Sequence, residues 1–398
     1  MRRRLLAVAL ITVLVPAVFY AAWTAHNNDL SGLVVARGSK LYVGDEEFRF
    51  LGANSFELWW YSPDEIREVI DTAHRHGIRV IRVFLGGTAF ENPVGTYNEW
   101  NFKKLDYILA YCRLRGMYVI ITLRDNNWAE DVYWVEADGT VNKTRMYTDP
   151  ETIETFKRFI SHVLNRVNVY NFRVYKRDPT ILAWDVCNEP DGTVSDPDVL
   201  RRWVAEIVDY IKSIDSVHLV TVGLMDVANV EVIYDLVDVV SVHSYPSKEG
   251  DVDVEGLLSL NVDKPVILEE FGASQSLPRD VQAEVYETYL TLASENGFSG
   301  AMFWNLGLGH NVWDRWPEED SHIFSVLDGQ SGHWSVNTYH PSVLDRLFFS
   351  TGSSIQFMAK HSPLVTASAF VAALTVSILL LLVKKRRSVG EIPEEFSV

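Results

Sequence analysis

Cysteine is scarce: Cys112 and Cys187 are the only two in 398 residues. Two thiols supply neither a disulfide framework nor a cysteine-ligated metal cluster, so both are read as inert. Positive charge is also thin. Lys and Arg number 36 against 53 Asp and Glu, a net charge of −17. A surface of that sign repels phosphate backbones, which argues against a nucleic-acid partner. No linker or low-complexity stretch interrupts the chain between Asp29 and about Ser350. A Gly-rich phosphate loop is missing as well. The first strand-like run is followed by Ser55, and Gly52-Ala53-Asn54-Ser55 lacks the glycine spacing of a dinucleotide fold. Apolar and aromatic residues are plentiful, at 47% and 12%, which excludes a disordered chain. The 12 Trp suit a sugar-binding surface, although a large core also accommodates them.

Charge disappears from two stretches. Leu5–Ala25 follows Arg2-Arg3-Arg4, and Pro363–Val383 precedes Lys384-Lys385-Arg386-Arg387. Each is long enough to cross a bilayer, which takes about 20 residues. Basic clusters stay on the cytoplasmic side, so both ends predict one topology with the intervening domain outside. The expected organisation is a signal peptide or N-terminal anchor over 1–26, a barrel domain over 30–350, a transmembrane helix over 363–383 and a cytoplasmic tail over 384–398. The location that follows is the cell membrane, with the domain extracytoplasmic. Seven of the basic residues lie in the two terminal clusters and three of the acidic ones beyond the second run, which leaves −21 between them. Such a domain favours a neutral or cationic substrate.

A short hairpin opens the middle, with Leu33–Arg37, a turn at Gly38-Ser39, and Leu41-Tyr42. Strand-like runs then fall at Phe50–Asn54, Arg79–Leu85, Tyr118–Leu123, Ile181–Cys187, Leu219–Gly223, Val237–His243, Pro265–Glu270 and Gly300–Trp304. Helical spacing marks Pro63–His76, Phe102–Arg115, Pro150–Asn168, Pro197–Ser213 and Arg279–Asn296, and is weak after strands five and six. Gly77, Gly116 and Gly297 stand where a left-handed C-cap favours glycine. Eight short apolar strands alternating with helices predict a (β/α)8 barrel of the α/β class, a TIM barrel.

In such a barrel the functional groups stand at the C-terminal ends of the strands. Those ends read Asn54, Arg82, Asn127-Trp128, Asn188-Glu189-Pro190, His243 and Tyr245, Glu269-Glu270, and Trp304. Two carboxylates from strands four and seven, across the barrel from each other, fit cleavage of a glycosidic bond, which needs a proton donor on one side and a nucleophile or base on the other. Taken singly, a Glu after a strand also serves as a helix N-terminal charge, His243 also fits a core, and Trp304 also plugs a barrel mouth. Neighbours on a strand face opposite sides, so only one of Glu269 and Glu270 should reach the axis, and spacing does not choose between them. Arg82, at the end of a buried strand, requires a carboxylate partner.

Three stretches carry a family resemblance: Asn165–Tyr170 with Tyr175–Ile181 and Ala183-Trp-Asp-Val-Cys-Asn-Glu-Pro190; Val242-His-Ser-Tyr-Pro246; and Lys264-Pro-Val-Ile-Leu-Glu-Glu-Phe-Gly272. They resemble glycoside hydrolase family 5, most closely its endo-β-1,4-mannanase branch, over roughly residues 32–345. The resemblance implies a retaining glycosidase with Glu189 as acid/base and Glu270 as nucleophile. It implies that Asn188 binds a sugar 2-hydroxyl, that Arg82 and Tyr245 keep Glu270 ionised and aimed, that His243 lines the same subsite, and that Trp304 stacks under a sugar. Glu189, among carboxylates and apolar walls, should then hold its proton more tightly than usual. Trp59-Trp60 and Trp128 would serve distal subsites, and Trp313, Trp316 and Trp334 would wall the cleft. Mannanases of this type commonly carry Arg directly after Asn-Glu-Pro, whereas Asp191 stands here. The partner implied is a β-linked polysaccharide, with no metal or organic cofactor. The same motifs fit a β-1,4-glucanase of cellulase type or a transglycosylase, and a surface carbohydrate-binding protein without catalysis is the alternative outside enzymology.

Overall fold

The structure is a computed structural model that describes residues 2–56, 58–127, 133, 141–247, 249–273, 277–307 and 324–325, of which 2–14, 279 and 324–325 are described by backbone alone. Leu30–Gly352 forms one compact unit. Its centre is a closed barrel of eight parallel strands in sequential order: β1 (Phe50–Asn54), β2 (Val80–Phe84), β3 (Tyr118–Thr122), β4 (Ile181–Asn188), β5 (Leu219–Leu224), β6 (Val240–Ser244), β7 (Val266–Phe271) and β8 (Gly300–Phe303). The seam closes where β8 pairs with β1, Gly300 opposite Phe50. A Cβ at Gly300 would lie 2.3 Å from the Phe50 ring, so only glycine lets these strands meet. The expected TIM barrel is therefore what the chain forms.

Local sequence explains the outer helices. Pro63–Arg75 starts in a capping box, with Ser62 and Glu65 satisfying each other's backbone N–H groups. It buries Ile66, Val69, Ile70 and Ala73 along one stripe. Pro150–Leu164 and Pro197–Ile214 each begin with an Asp cap followed by Pro, at Asp149 and Asp196. Glu99–Leu114 and Arg279–Glu295 complete the long helices. After β5 and β6 come only Val230–Ile233 and Val254–Leu258, matching the weak helical signal there. The preceding hairpin is a small antiparallel sheet of Val34–Arg37, Lys40–Val43 and Glu46–Glu47.

One helix ends sooner than its sequence predicts. Apolar spacing continues to Asn168, but the helix stops at Leu164. Arg166 turns out to hold Asp106 through Nε at 2.9 Å and Nη2 at 2.8 Å. Asn168 donates to the Asp106 carbonyl, and Tyr175 donates its hydroxyl to the same carboxylate at 2.7 Å. These bonds to a buried acid outweigh another helical turn.

Arg2–Asn28 is a helix belonging to a separate unit. Among the described residues no helix is long and apolar enough to cross a membrane. The expected transmembrane helix over 363–383 and tail over 384–398 lie outside the described residues, as do the side chains of 2–14 and the cleft tryptophans Trp313, Trp316 and Trp334.

Asp106 is fully buried and joins the Glu99–Leu114 helix to the segment leading into β4. Asp106→Ala should lower the unfolding free energy by about 3–5 kcal/mol, since it removes the buried acceptor of Arg166 Nε and Nη2 and of the Tyr175 hydroxyl and leaves Arg166 only Glu99. Urea denaturation measures this; a loss below about 1 kcal/mol would show the bonds to be incidental.

Candidate active site

Arg82, at the C-terminal half of β2, organises the barrel mouth. It is wholly buried, and its donors all reach side chains of other strands. Nη1 donates to Glu270 Oε1 at 2.6 Å and Asn54 Oδ1 at 3.1 Å. Nη2 donates to Asp185 Oδ2 at 2.6 Å and Asn188 Oδ1 at 2.9 Å, and Nε reaches the same Asp185 oxygen at 3.2 Å. Glu269 Oε2 lies 3.4 Å from Nη2. The sequence demanded one carboxylate for this guanidinium; the structure supplies three.

The expectation that only one of Glu269 and Glu270 faces inward is overturned. The register of β7 shifts between Leu268 and Glu270 against β6, and between Leu268 and Phe271 against β8. Such a bulge breaks the alternation of faces and re-aims a side chain. Asn54 fastens the irregular backbone by donating to the Glu269 carbonyl at 2.8 Å. Both carboxylates consequently reach Arg82.

Glu189 follows β4 in a left-handed conformation, φ 50° and ψ 49°. That region is uncommon for any residue but glycine and marks a side chain held against a conformational cost. Its Oε1 bonds to His243 Nδ1 at 2.7 Å, and its Oε2 accepts from the Asn127 amide. Glu270 Oε2 accepts from the Tyr245 hydroxyl at 2.7 Å and lies 3.6 Å from His243 Nδ1. Glu189, His243 and Glu270 each bring one polar atom within 4.8 Å of the others. Two carboxylates and an imidazole could in principle hold a cation. Here His243 Nδ1 is already bonded to Glu189, and Arg82 and Tyr245 occupy both oxygens of Glu270. The donor set is thus spent within the protein.

Arg82, Asn188, Glu189, His243, Tyr245 and Glu270 therefore converge as a group. Asn188 is locked at both ends of its amide, by Arg82 and by Asp125 Oδ1 at 2.9 Å. Trp304 stands at the mouth after β8, half-buried, stacked on Phe56 at 5.1 Å between centroids. Trp128 lies outside the described residues. Trp59 is a correction: it is buried, with its indole N–H on the Phe84 carbonyl, so it is core. Its neighbour Trp60 is exposed.

Asp191 is not directed at a ligand. Its oxygens accept from Met225 N at 3.0 Å, Asp226 N at 2.9 Å and Asn229 Nδ2 at 3.0 Å, which ties down the loop after β5.

The resting charges differ from the expected arrangement. Glu270 is pushed up to about 7, first by burial and further by the charge of Glu189, against the pull of His243, Arg82 and Tyr245. Arg82 does not hold it fully ionised because Asp185 and Glu269 share that one positive charge. For Glu189 burial also acts upward, but the bond and charge of His243, with Asn127 and Arg82, outweigh it and leave the carboxyl below its usual value. Burial opposes the positive charge of His243, yet Glu270, Glu189 and Glu269 together push it up to about 10. In the resting site the proton thus sits on His243.

Three participants escaped sequence reasoning. Asp185 was visible as a lone charge inside the apolar run Ile181–Cys187, and such a charge calls for a partner like Arg82. Asp125 is nearly buried, and burial pushes its carboxyl up to about 6. Gly223 on β5 is the third. A Cβ there would lie 2.6 Å from Glu269 Oε2, 2.7 Å from His243 Nε2 and 3.0 Å from Arg82 Nη2, so the missing side chain is the space in which these atoms meet.

Comparison with known proteins finds relatives of one kind. Residues 82–249 match the family model described as GH family 5 beta-mannosidase-like, a span from Arg82 past Tyr245. Mannan endo-1,4-beta-mannosidase 7 of Arabidopsis thaliana is 28% identical over 338 residues, covering 69% of this chain and 78% of that protein. The putative mannan endo-1,4-beta-mannosidase 5 of Oryza sativa subsp. japonica is 34% identical over 211 residues, 48% of this chain and 43% of that one. Among solved structures, the endo-beta-1,4-mannanase of Thermotoga petrophila aligns with a TM-score of 0.62 at 26% identity, over 72% of this chain and 75% of that chain. The endo-1,4-beta-mannanase of Rhizomucor miehei aligns at 0.64 and 24% identity, over 82% and 99%, which speaks for the shared fold. Closed barrel, converging carboxylates and the family-model match over residues 82–249 together mark this chain as a hydrolase of glycosidic bonds, similar to glycoside hydrolase family 5.

Proposed function

We propose that the protein is a membrane-anchored, retaining endo-β-1,4-glycosidase acting on mannan-type polysaccharides by double displacement. The observation that carries the chemistry is the approach of Glu189 and Glu270, whose nearest oxygens fall within 4.8 Å. Retaining pairs stand about 5–5.5 Å apart, whereas inverting pairs need about 6.5–9.5 Å to admit a water. The mannan assignment is supported by the relatives, which are mannan endo-1,4-beta-mannosidases by name. The Asp191 bonds remove one objection, because that carboxylate is engaged with its own loop.

In the first step a Glu270 oxygen attacks the anomeric carbon. The bond to the leaving oxygen breaks, and that oxygen takes a proton from Glu189. In the second step Glu189 takes a proton from water, the water oxygen bonds to the anomeric carbon, and the ester to Glu270 breaks. The first step needs Glu189 protonated and Glu270 ionised. One proton shift along the 2.7 Å His243–Glu189 bond converts the resting arrangement into that state. His243 and Glu189 act on Glu270 with opposite sign, so the shift leaves the nucleophile nearly undisturbed. Asn188 spends one amide N–H on Asp125, which leaves the other for a sugar hydroxyl. Trp304, backed by Phe56, offers a stacking surface at the mouth.

Anchoring is supported by the uncharged runs Leu5–Ala25 and Pro363–Val383 and by the basic clusters outside them. With both clusters cytoplasmic, the barrel faces the exterior, where polysaccharide is found.

Glu189→Gln should lower kcat by about 10²–10⁴-fold, and Glu270→Gln by at least as much, with circular dichroism unchanged. Azide should rescue Glu189→Ala on an activated aryl mannoside and yield the azide of retained configuration. Near-native rates in either Gln variant would end the assignment. Mannan, glucomannan and carboxymethylcellulose assayed side by side test the substrate: mannan should release oligosaccharides, and cleavage of carboxymethylcellulose alone would indicate the glucanase reading.

A nucleophile that titrates near 7 must lose its proton to attack. For the free enzyme, kcat/KM should therefore fall about tenfold per unit as the pH drops below about 7, and hold level above it until an alkaline limb set by His243, which is pushed up to about 10. A profile flat down to pH 5 would contradict the buried, shared-charge account of Glu270.

The full chain should stay in the membrane pellet after alkaline carbonate washing. Release into the supernatant would contradict anchoring.

A further inference from the structure

We propose that Glu269 is a positioning residue for the hydrolysis: from beneath the acid and the nucleophile it holds the proton on His243 Nε2 and orients Arg82, and thereby governs delivery of the proton to Glu189. This rests on the roles proposed above for Glu189 and Glu270.

The placement of Glu269 is specific. The β7 bulge turns it inward beside Glu270, and it is fully buried. Oε2 lies 3.4 Å from both His243 Nε2 and Arg82 Nη2, the two cations that touch the catalytic pair. Gly223 leaves open the space where these three groups meet. Thr221 donates to the Ser241 hydroxyl, and Ser241 in turn is a hydrogen-bond partner of Glu269. A buried carboxylate is costly, and packing alone would be served better by an apolar side chain. What the carboxylate supplies here is charge.

That charge decides which form of His243 persists. With Glu269 ionised, Nε2 keeps its proton, and the imidazolium holds a second proton on Nδ1 facing Glu189. Passing the Nδ1 proton to Glu189 leaves a neutral ring that still carries its Nε2 hydrogen, which fixes the tautomer. Without the Glu269 charge the ring sheds a proton at lower pH, and Glu189 loses its source. Other charged and titratable groups face this pair. They are Arg82 from β2, Asp125 after β3, Asp185 from β4, Glu189 just after it, Tyr245 after β6 and Glu270 from β7. None of the other acids contacts Nε2: Glu189 and Glu270 both approach Nδ1. The Nε2 side therefore belongs to Glu269.

The test is the pH profile of kcat/KM for the full-length enzyme and for Glu269→Gln and Glu269→Asp, together with the ring-nitrogen NMR shifts of His243, assigned by their loss in His243→Asn. In Glu269→Gln the alkaline limb should move down by at least one pH unit, while kcat at the optimum falls less than in Glu189→Gln. Glu269→Asp, which keeps the charge, should restore the limb towards its native position. The native enzyme at pH 8 should show both His243 nitrogens protonated, a reading that does not depend on any variant folding. A native His243 that is neutral at pH 8, or a Glu269→Gln enzyme whose rate drops equally at every pH with its alkaline limb unmoved, would overturn the proposal. Activity surviving in Glu189→Gln or Glu270→Gln would instead overturn the underlying assignment, and the NMR result would stand apart from it.

Discussion

A guanidinium cannot discard its charge, and Arg82 sits where water does not reach. Everything at the barrel mouth follows from satisfying it. Its hydrogen bonds join β2 to Asn54 on β1, to Asp185 and Asn188 on β4, and to Glu270 on β7. Strands β2, β4 and β7, which never pair with one another, are thereby fixed to one point. The Arg82 centre of the site is thus held by the barrel core, which is how a preorganised site keeps its groups in place. Three carboxylates around one cation also explain why Glu270 is hard to ionise: the positive charge nearest to it is already divided.

The barrel was legible because its signals are local. Apolar runs of strand length, Asp-Pro helix starts and Gly after helices each act over a few residues, and all eight strands lie where the runs fall. The site was legible by residue type, since carboxylates, Arg and His at strand ends leave few alternatives. What the sequence concealed depended on register. The alternation rule assigned Glu269 and Glu270 to opposite faces, and a bulge that no short pattern announces brought both inward. Trp59 looked like a subsite because a tryptophan near the mouth can face either way, and only packing shows its N–H spent on Phe84. Asp191 looked like a charge reversal in the cleft, yet its partners on the loop after β5 are more than thirty residues away in sequence and invisible as a motif. Gly223 gave no signal, because its function is the volume it leaves empty.

The distribution of charge likewise could not be read residue by residue. Placing Arg beside a nucleophile and carboxylates beside an acid predicts an ionised Glu270 and a protonated Glu189. In the folded barrel the same groups compete. His243 lies between Glu189 and Glu270 and bonds the first, so the proton is lodged between these carboxylates and not on either.

The left-handed backbone at Glu189 has a consequence for how such a barrel can drift. Non-glycine residues held there sacrifice on the order of 1–3 kcal/mol. A glycine in that place would relax the turn after β4 and relieve a buried carboxyl of its desolvation. The gain in backbone freedom would be set against the loss of the acceptor that His243 and Asn127 share, so the turn after β4 and the imidazole behind it can only change together.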